Sequence, residues 1–313
     1  MPPETIPFGH TDLRVTRLCQ GTAFRHLPRA TDPAALDVLR HSLERGVTFF
    51  DTAQAYGWGG AEEVLGKAIQ GRRAQVTVCT KVPAMLPPKA DGTPGPRARF
   101  TPEYLSTQLE ASLRRLGTDR VDLYLLHQPD NHTPAAEITA AMDALVQAGK
   151  TRYWGLSNHS AAQVQEYLDL GAPIAGVEEY YNIAGSHLDK EGRVRVRVFE
   201  EEMQPLLNRH DLGCLAFSPL DTGLLAPGRP AEGSLTDLVQ AIDRVAAEMA
   251  LPRAAVCVAW VRQRQGITSV LAGAESRQHV DDNLLGAQTE LPAEAIDRLD
   301  AARQTYHRAL TAQ

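Results

Sequence analysis

Short apolar runs alternate with amphipathic stretches along almost the whole chain, and this alternation restricts the fold more than any other feature. The runs are VTRLCQG (15–21), VTFFD (47–51), VTVCTK (76–81), VDLYLLH (121–127), RYWGLS (152–157), IAGVEEY (174–180), GCLAFS (213–218) and TSVLAG (268–273). Between them lie helical patterns: PAALDVLRHSLERG, AEEVLGKAIQG, PEYLSTQLEASLRRLG, PAAEITAAMDALVQAGK, AAQVQEYLDLG, FEEEMQPLLNRH, a stretch near 235–249, and SRQHVDDNLLGA. In the first, Leu36, Leu39 and Leu43 share a face and Gly46 can cap the C-terminus. In the third, Leu105, Leu109, Leu113 and Leu116 share a face ahead of Gly117. Strands that are apolar throughout are covered on both faces, and parallel neighbours need crossover helices. Eight such βα units predict a closed (β/α)8 TIM barrel. An open doubly wound sheet would carry GxGxxG after its first strand, whereas here the first run ends in QGTAFRH.

The length suits one such barrel, so residues 1–313 are expected to form a single domain. PPETIPFGHTDLRV predicts a β-hairpin closing the barrel floor, and PAEAIDRLDAARQTYHR predicts an extra C-terminal helix. The longest break, PAMLPPKADGTPGPRARF (83–100), follows the third strand and so falls on the C-terminal face. Breaks of this length are either functional lids or disordered connectors.

Charge and cysteine usage exclude several classes. The net charge is -6 with no basic cluster, which argues against a nucleic-acid partner. RVRVR (193–197) alternates with valine and reads as one solvated face. No apolar run reaches the ~20 residues of a membrane span, and the first residues lack the charged and apolar regions of a signal peptide. Cys19, Cys79, Cys214 and Cys257 sit in separate apolar segments without CxxC spacing. They are expected to be buried free thiols of a reducing compartment, with no metal site, and the location expected is cytoplasmic.

The strand ends carry the chemistry. The second run ends in Asp51 with Tyr56 just beyond it, the third in Lys81 and the fourth in His127. Singly, each has an ordinary reading: a turn cap, a solvated strand end, a satisfied core histidine. Together they are four titratable groups delivered by adjacent strands to one barrel face. A phenol with pKa ~10 is a poor proton donor at neutral pH unless its phenolate is stabilised. Lys81 can lower that pKa, and Asp51 can hold Lys81 charged and aimed. His127 can orient a substrate oxygen. This set suits delivery of a proton to a carbonyl oxygen as hydride reaches the carbon.

On these residues, and on FFDTAQAYGWGGAEEVLG, VTVCTK, SLRRLGTDRVDLYLLHQPD, GKTRYWGLSNHS, FSPLDTGLL and AGAESRQHVDDN, the chain resembles an aldo-keto reductase from about residue 8 to 290. The resemblance implies an NAD(P)(H)-dependent oxidoreductase that interconverts a carbonyl and an alcohol. Its catalytic tetrad would be Asp51, Tyr56, Lys81 and His127, with Tyr56 as general acid or base. An extended nicotinamide dinucleotide would lie across the barrel mouth. Ser157 and Asn158 match residues that bind the carboxamide, Phe217 an aromatic that stacks on the nicotinamide, and Ser218, Leu220 and Thr222 the loop around the pyrophosphate.

Two departures stand out. The family usually has glutamine where this chain has Glu178; an ionised carboxylate accepts hydrogen bonds but cannot donate. Glu178 is therefore either an acceptor for the cofactor amide, a protonated acid, or a group with another use. At the adenosine end, Gly273 and His279 stand where many members carry lysine and arginine for the 2′-phosphate. Ser276, Arg277, His279 and Asn283 can still bind phosphate at a helix N-terminus, while Glu275 suits a free ribose hydroxyl. NADP(H) is the expected cofactor, with NAD(H) as the other possibility. Phe24 and Trp58 are candidate walls of an apolar substrate pocket, and Lys89, Arg97 and Arg99 candidate contacts for an anionic one. The partner expected is a small carbonyl or alcohol. The alternatives are a cofactor-binding regulatory module like the channel-associated β-subunits, and a sugar or alcohol dehydrogenase using NAD.

Overall fold

The eight apolar runs become eight parallel strands that close on themselves. In the computed structural model, the residues described are 3–24, 33–87, 91–93, 95–185 and 199–311. The barrel strands are β3 (Leu18–Gly21), β4 (Phe49–Asp51), β5 (Thr77–Val82), β6 (Val121–Leu126), β7 (Thr151–Ser157), β8 (Gly176–Tyr180), β9 (Gly213–Phe217) and β10 (Ser269–Gly273), preceded by β1 (Thr5–Pro7) and β2 (Arg14–Thr16). Each barrel strand pairs with the next in sequence, and β10 pairs with β3 to complete the ring. Closure leaves no sheet edge.

The floor is sealed as expected. β1 and β2 form an antiparallel hairpin whose connecting turn sends Phe8 into the barrel against Phe49, with ring centroids 6.1 Å apart. Room for Phe8 comes from two glycines. A Cβ on Gly213 would sit 2.5 Å from the Phe8 ring, and one on Gly176 would sit 2.1 Å from the Gly213 carbonyl oxygen. Above Phe8, side chains including Cys19, Phe49, Leu123 and Leu215 fill the interior, so the barrel is a packed core.

The outer ring contains α1 (Pro33–Glu44), α2 (Gly60–Ile69), α3 (Pro102–Leu116), α4 (Ala135–Gln147), α5 (Ala161–Asp169), α6 (Gln204–His210), α7 (Leu235–Glu248), α8 (Arg253–Arg262) and α9 (Arg277–Gln288), with α10 (Ala293–Thr311) as the extra C-terminal helix. α3 shows how sequence sets an element. Thr101 caps its N-terminus by accepting from the Tyr104 N–H, Pro102 occupies the first turn, and Gly117 ends it in a left-handed conformation. Leu105, Leu109, Leu113 and Leu116 are all buried, each stabilising by about 1.5–3 kcal/mol relative to exposure.

One part of the sequence reading needs correction. The unit between β9 and β10 holds two helices, and α8, not the stretch near 235–249 alone, completes it. Ala254 to Val261 are buried on every side of α8, so this helix has no polar face to mark its period. The described ends of the 83–100 break form an ordered ladder. Met85 bridges Arg97, the Leu86 N–H donates to the Pro96 carbonyl at 2.9 Å, and the Ala98 N–H donates to the Ala84 carbonyl at 2.9 Å. The Asp130 carboxylate then ties this ladder to the loop after β6, accepting from the Phe100 N–H at 2.6 Å and the His132 N–H at 2.9 Å. Lys89 and the 193–197 stretch lie outside the described residues. All four cysteines are buried and free.

Candidate active site

The C-terminal mouth of the barrel opens into a cavity of about 420 Å³. Asp51, Tyr56, His127 and Glu178 line one end; Gly273, Glu275 and His279 line the other. Period-two alternation points Asp51 on β4, Lys81 on β5 and Glu178 on β8 inward, where their side-chain ends meet. Tyr56 reaches over them from the turn that enters α2, where Gly57 and Trp58 take left-handed dihedrals. His127 follows the last residue of β6 and is fixed by its N–H donating to the Val82 carbonyl at 3.1 Å.

Lys81 is the hub. Its ammonium donates to both Asp51 oxygens, at 2.5 and 2.6 Å, and to the Thr52 carbonyl at 3.1 Å. It also lies 3.4 Å from the Tyr56 hydroxyl and 3.3 Å from Glu178 Oε2. Both Lys81 and Asp51 are fully buried, so an unpaired ammonium here would shed its proton. Burial pulls the Lys81 pKa down, but Asp51, then Glu178 and Tyr56, outweigh it and hold the amine well above its ordinary range.

Tyr56 differs from expectation in sign. Lys81 does lower its pKa, yet burial raises it more, and Asp51 and Glu178 add to the rise, so the phenol is held protonated above its ordinary range. That is the state of a proton donor. The His127 ring packs edge-on to Tyr56 with centroids 5.7 Å apart, and burial followed by Lys81 pushes its pKa down to about 3. A neutral imidazole at the mouth can donate to a substrate oxygen without adding a second full cation. Burial, then Asp51, raises the Glu178 pKa, with Lys81 opposing. Although Oε2 lies near the amine, it has no aligned hydrogen-bond donor. Oxygen and sulfur atoms of Asp51, Cys79 and Glu178 converge within 4.8 Å, but the Lys81 ammonium already sits among these acids and would repel a second cation.

The remaining expected residues fall into groups. Asn158 donates through Nδ2 to the His127 carbonyl and to Ser157 Oγ, each at 3.0 Å, which leaves its amide oxygen to accept from a carboxamide. Ser157 is fully buried behind Asn158 and does not line the cavity. Phe217 lines the cavity with its ring braced edge-on by Tyr180, centroids 5.5 Å apart. Ser218, Leu220 and Thr222 also line it, and both Ser218 and Thr222 take positive φ. Tyr180 donates to Asp221 in the same loop, securing its shape from below. At the far end, Ser276 caps α9 by accepting from the His279 N–H at 3.2 Å, and Asn283 donates to the Gly273 carbonyl at 3.4 Å. Arg277 points elsewhere: it forms a bidentate pair with Asp37 of α1, at 2.8 and 2.5 Å, outside the cavity. Phe24 lines the cavity; Trp58 is 42% exposed and does not. Arg97 donates to the Pro129 carbonyl, securing the loop ladder.

Sequence reading missed Thr22, Pro219, Gly223 and Leu271, which also line the cavity. Thr22 offers a buried hydroxyl with no partner, in the first strand–helix loop beside Phe24. Its signal was its place directly after β3.

A profile described as "Aldo/keto reductase family" matches residues 17–304. The chain belongs to the aldo/keto reductase family. It is 32% identical over 293 residues to "Methylglyoxal reductase YeaE" of Escherichia coli (strain K12), covering 93% of this chain and 92% of that one. It is 30% identical over 332 residues to a "Probable voltage-gated potassium channel subunit beta" of Oryza sativa subsp. japonica, covering 95% of each. Among solved structures, an aldo-keto reductase from Klebsiella pneumoniae in complex with NADPH superposes with a TM-score of 0.75 at 28% identity, covering 96% of this chain and 95% of that one. As in its family, the mouth of the barrel fits an extended dinucleotide: one elongated cavity runs from the buried acids to the N-terminus of α9, with orphaned polar atoms on Thr22 and Glu178.

Proposed function

We propose that this chain reduces small aldehydes or ketones to alcohols with NADP(H), using Tyr56 as the general acid. The observation that carries the reading is the buried ammonium of Lys81 held by Asp51 and set 3.4 Å from the Tyr56 hydroxyl at the cavity mouth. The reading is supported by the reductase named among its relatives and by the NADPH-bound structural neighbour.

The dinucleotide, when bound, supplies hydride to the substrate carbon. The chain does the rest. Asn158 and Glu178 face the nicotinamide amide, Phe217 covers the ring, and Ser218, Leu220 and Thr222 follow the pyrophosphate. The 2′-phosphate falls to Ser276, His279 and the first turn of α9, whose free N–H groups favour an anion. His127 donates to the carbonyl oxygen and orients it against Tyr56. As negative charge grows on that oxygen, Tyr56 passes its proton across, and Lys81 stabilises the phenolate left behind. Asp51 keeps Lys81 charged throughout. Phe24 gives the substrate side an apolar wall. Four buried free thiols fit a reducing compartment, and we place the protein in the cytoplasm; among the described residues no helix is long and apolar enough to cross a membrane.

The test is NADPH oxidation with a panel of small carbonyls, comparing wild type with Tyr56→Phe. Positioned acid catalysis contributes ~10²–10⁴-fold, so the variant should lose that much kcat while binding NADPH as before. A variant that turns over at the wild-type rate would end the assignment of Tyr56. The β-subunit named among the relatives motivates a second reading, a cofactor-bound regulatory module. It predicts tight NADPH binding with negligible turnover across the whole panel.

A further inference from the structure

The Lys81 ammonium has three N–H donors and five oxygens within reach. Asp51 supplies two, Thr52 one carbonyl, Tyr56 its hydroxyl and Glu178 its Oε2. The Asp51 contacts and the Thr52 contact are the shortest and come from the strand end next door. The last two oxygens, on Tyr56 at 3.4 Å and Glu178 at 3.3 Å, therefore contend for what Lys81 has left. Glu178 Oε2 is buried, and the other group beside this carboxyl is Asp51. A neutral amide at this position would contend more weakly, because its oxygen accepts without carrying a net charge.

We propose that Glu178 is a positioning residue of the proton-transfer cluster: it competes with Tyr56 for the Lys81 ammonium and so holds Tyr56 in its acid form. The inference rests on the reductase reading for its consequence, which is a bias toward reduction over alcohol oxidation. The physical reason is charge. When Glu178 is ionised beside Asp51, the two carboxylates outweigh the Lys81 cation, and a phenolate would add a further like charge at close range. The other groups that face this cluster are Cys79 beside Lys81 on β5, Cys19 on β3 and neutral His127 after β6. Ser157 at the end of β7, Asn158 just after it, Phe217 on β9 and Leu271 on β10 bring no charge. Burial and then Asp51 raise the Glu178 pKa, and the Glu178 charge is in turn among the causes that raise Tyr56, so the two acids are coupled across Lys81.

The test is Glu178→Gln, with Glu178→Asp as a charge-retaining control. Phenolate ionisation is followed by ultraviolet absorbance in the cofactor-free protein, each protein measured against its own Tyr56→Phe counterpart. Removing the anion should bring the Tyr56 ionisation down by about one pH unit or more. The high-pH limb of carbonyl reduction and the low-pH limb of alcohol oxidation should move down with it, and oxidation at a fixed pH below the limb should rise about tenfold per unit moved. Glu178→Asp should leave the Tyr56 ionisation near its wild-type position. An unmoved Tyr56 ionisation, with NADPH affinity weakened tenfold, would overturn the proposal and leave Glu178 as a cofactor contact alone. The absorbance titration needs no turnover: a shifted Tyr56 ionisation in a protein that reduces nothing would support the coupling and sink the reductase reading.

Discussion

Two consecutive carboxylates on β8 have opposite surroundings. Glu178 faces the barrel mouth beside Lys81. Glu179, one residue on, shares the outer face with Val177 and Tyr181, where the barrel meets its helices. It is 7% exposed, its Oε1 has no hydrogen-bond partner among the described residues, and burial pushes its pKa up to about 8. The imidazoles repeat the pattern. His127 lines the mouth, while His159 is buried against Tyr167 with Nδ1 2.8 Å from the Ser157 carbonyl, and burial is the leading cause pushing its pKa down to about 4. Burial shifts all four groups, but the inner pair also sits beside the Lys81 charge at the cavity, whereas the outer pair does not. Burial of a carboxylate in the outer layer need not be unfavourable: Glu62 is fully buried there but accepts from Thr80 at 2.6 Å and from Arg115 at 2.6 Å. What sets Glu179 apart is the missing donor.

The inner members should dominate activity. His127→Ala removes one donor aimed at the developing oxyanion, and such losses cost ~10²–10³-fold in kcat. The fold should be unaffected, since neither ring nitrogen of His127 has a protein hydrogen-bond partner among the described residues. Single-turnover reduction with saturating NADPH measures the loss. A kcat within threefold of wild type would mean that the mouth does not use this imidazole and that the inner–outer contrast is a matter of packing.

Glu179→Gln should do the reverse, changing stability and leaving turnover alone. In the unfolded chain this carboxyl ionises above about pH 4.5, whereas the folded protein keeps it protonated to about 8. Stability therefore falls as pH rises between those values, at up to about 1.4 kcal/mol per pH unit. Allowing for the unpaired amide that replaces the acid, the variant should be about 1–2 kcal/mol more stable near pH 7.5 and no more stable near pH 4.5. Urea denaturation at both values checks this. A gain of equal size at both would show that ionisation is not its source.

How much of this contrast was legible in advance depends on the distance over which each feature is determined. The strands, Phe8's hairpin and the gathering of Asp51 and Lys81 at one end of the barrel follow from local pattern, because period two decides which side chains reach the mouth and the βα repeat decides which strands are neighbours. Glu178 stood out as the wrong residue for its place, yet nothing local says that β8 and β5 bring it and Lys81 together across the ring. α8 was hidden for a different reason: burial on every side erases the polar face by which a helix is read. Arg277 looked like a phosphate ligand from its position at the start of α9. Its actual partner, Asp37, is separated from it by 240 residues, and no spacing rule reaches that far.

His159 offers a smaller effect of opposite sign to Glu179. Its folded-state pKa of about 4 lies below the ordinary 6.5, so the stabilisation is complete above about pH 6.5 and is lost as pH falls toward 4, when the unfolded chain takes up a proton that the folded chain refuses. His159→Gln should flatten this acid limb by up to about 1.4 kcal/mol per pH unit. Near neutrality it should change stability little, provided the glutamine amide keeps a hydrogen bond to the Ser157 carbonyl. Denaturation midpoints between pH 4.5 and 7 decide the matter, and an unchanged acid limb would place the sensitivity on other groups.

The smallest expected effect concerns a residue that lies on neither face of the barrel wall. Arg277 is exposed and held by both oxygens of Asp37, so it is pulled toward α1 and away from the cavity that ends at His279. Exposed ion pairs of this kind contribute little to stability, and the guanidinium here is not aimed at a phosphate. Arg277→Ala should change NADPH affinity less than about threefold, whereas His279→Ala, which removes a side chain that does line the cavity, should weaken NADPH more than NADH. Quenching of tryptophan fluorescence by each dinucleotide gives both ratios. If Arg277→Ala instead costs NADPH tenfold and spares NADH, the arginine leaves Asp37 when the phosphate arrives; Asp37→Ala should then tighten NADPH, since it removes the anion with which the 2′-phosphate competes.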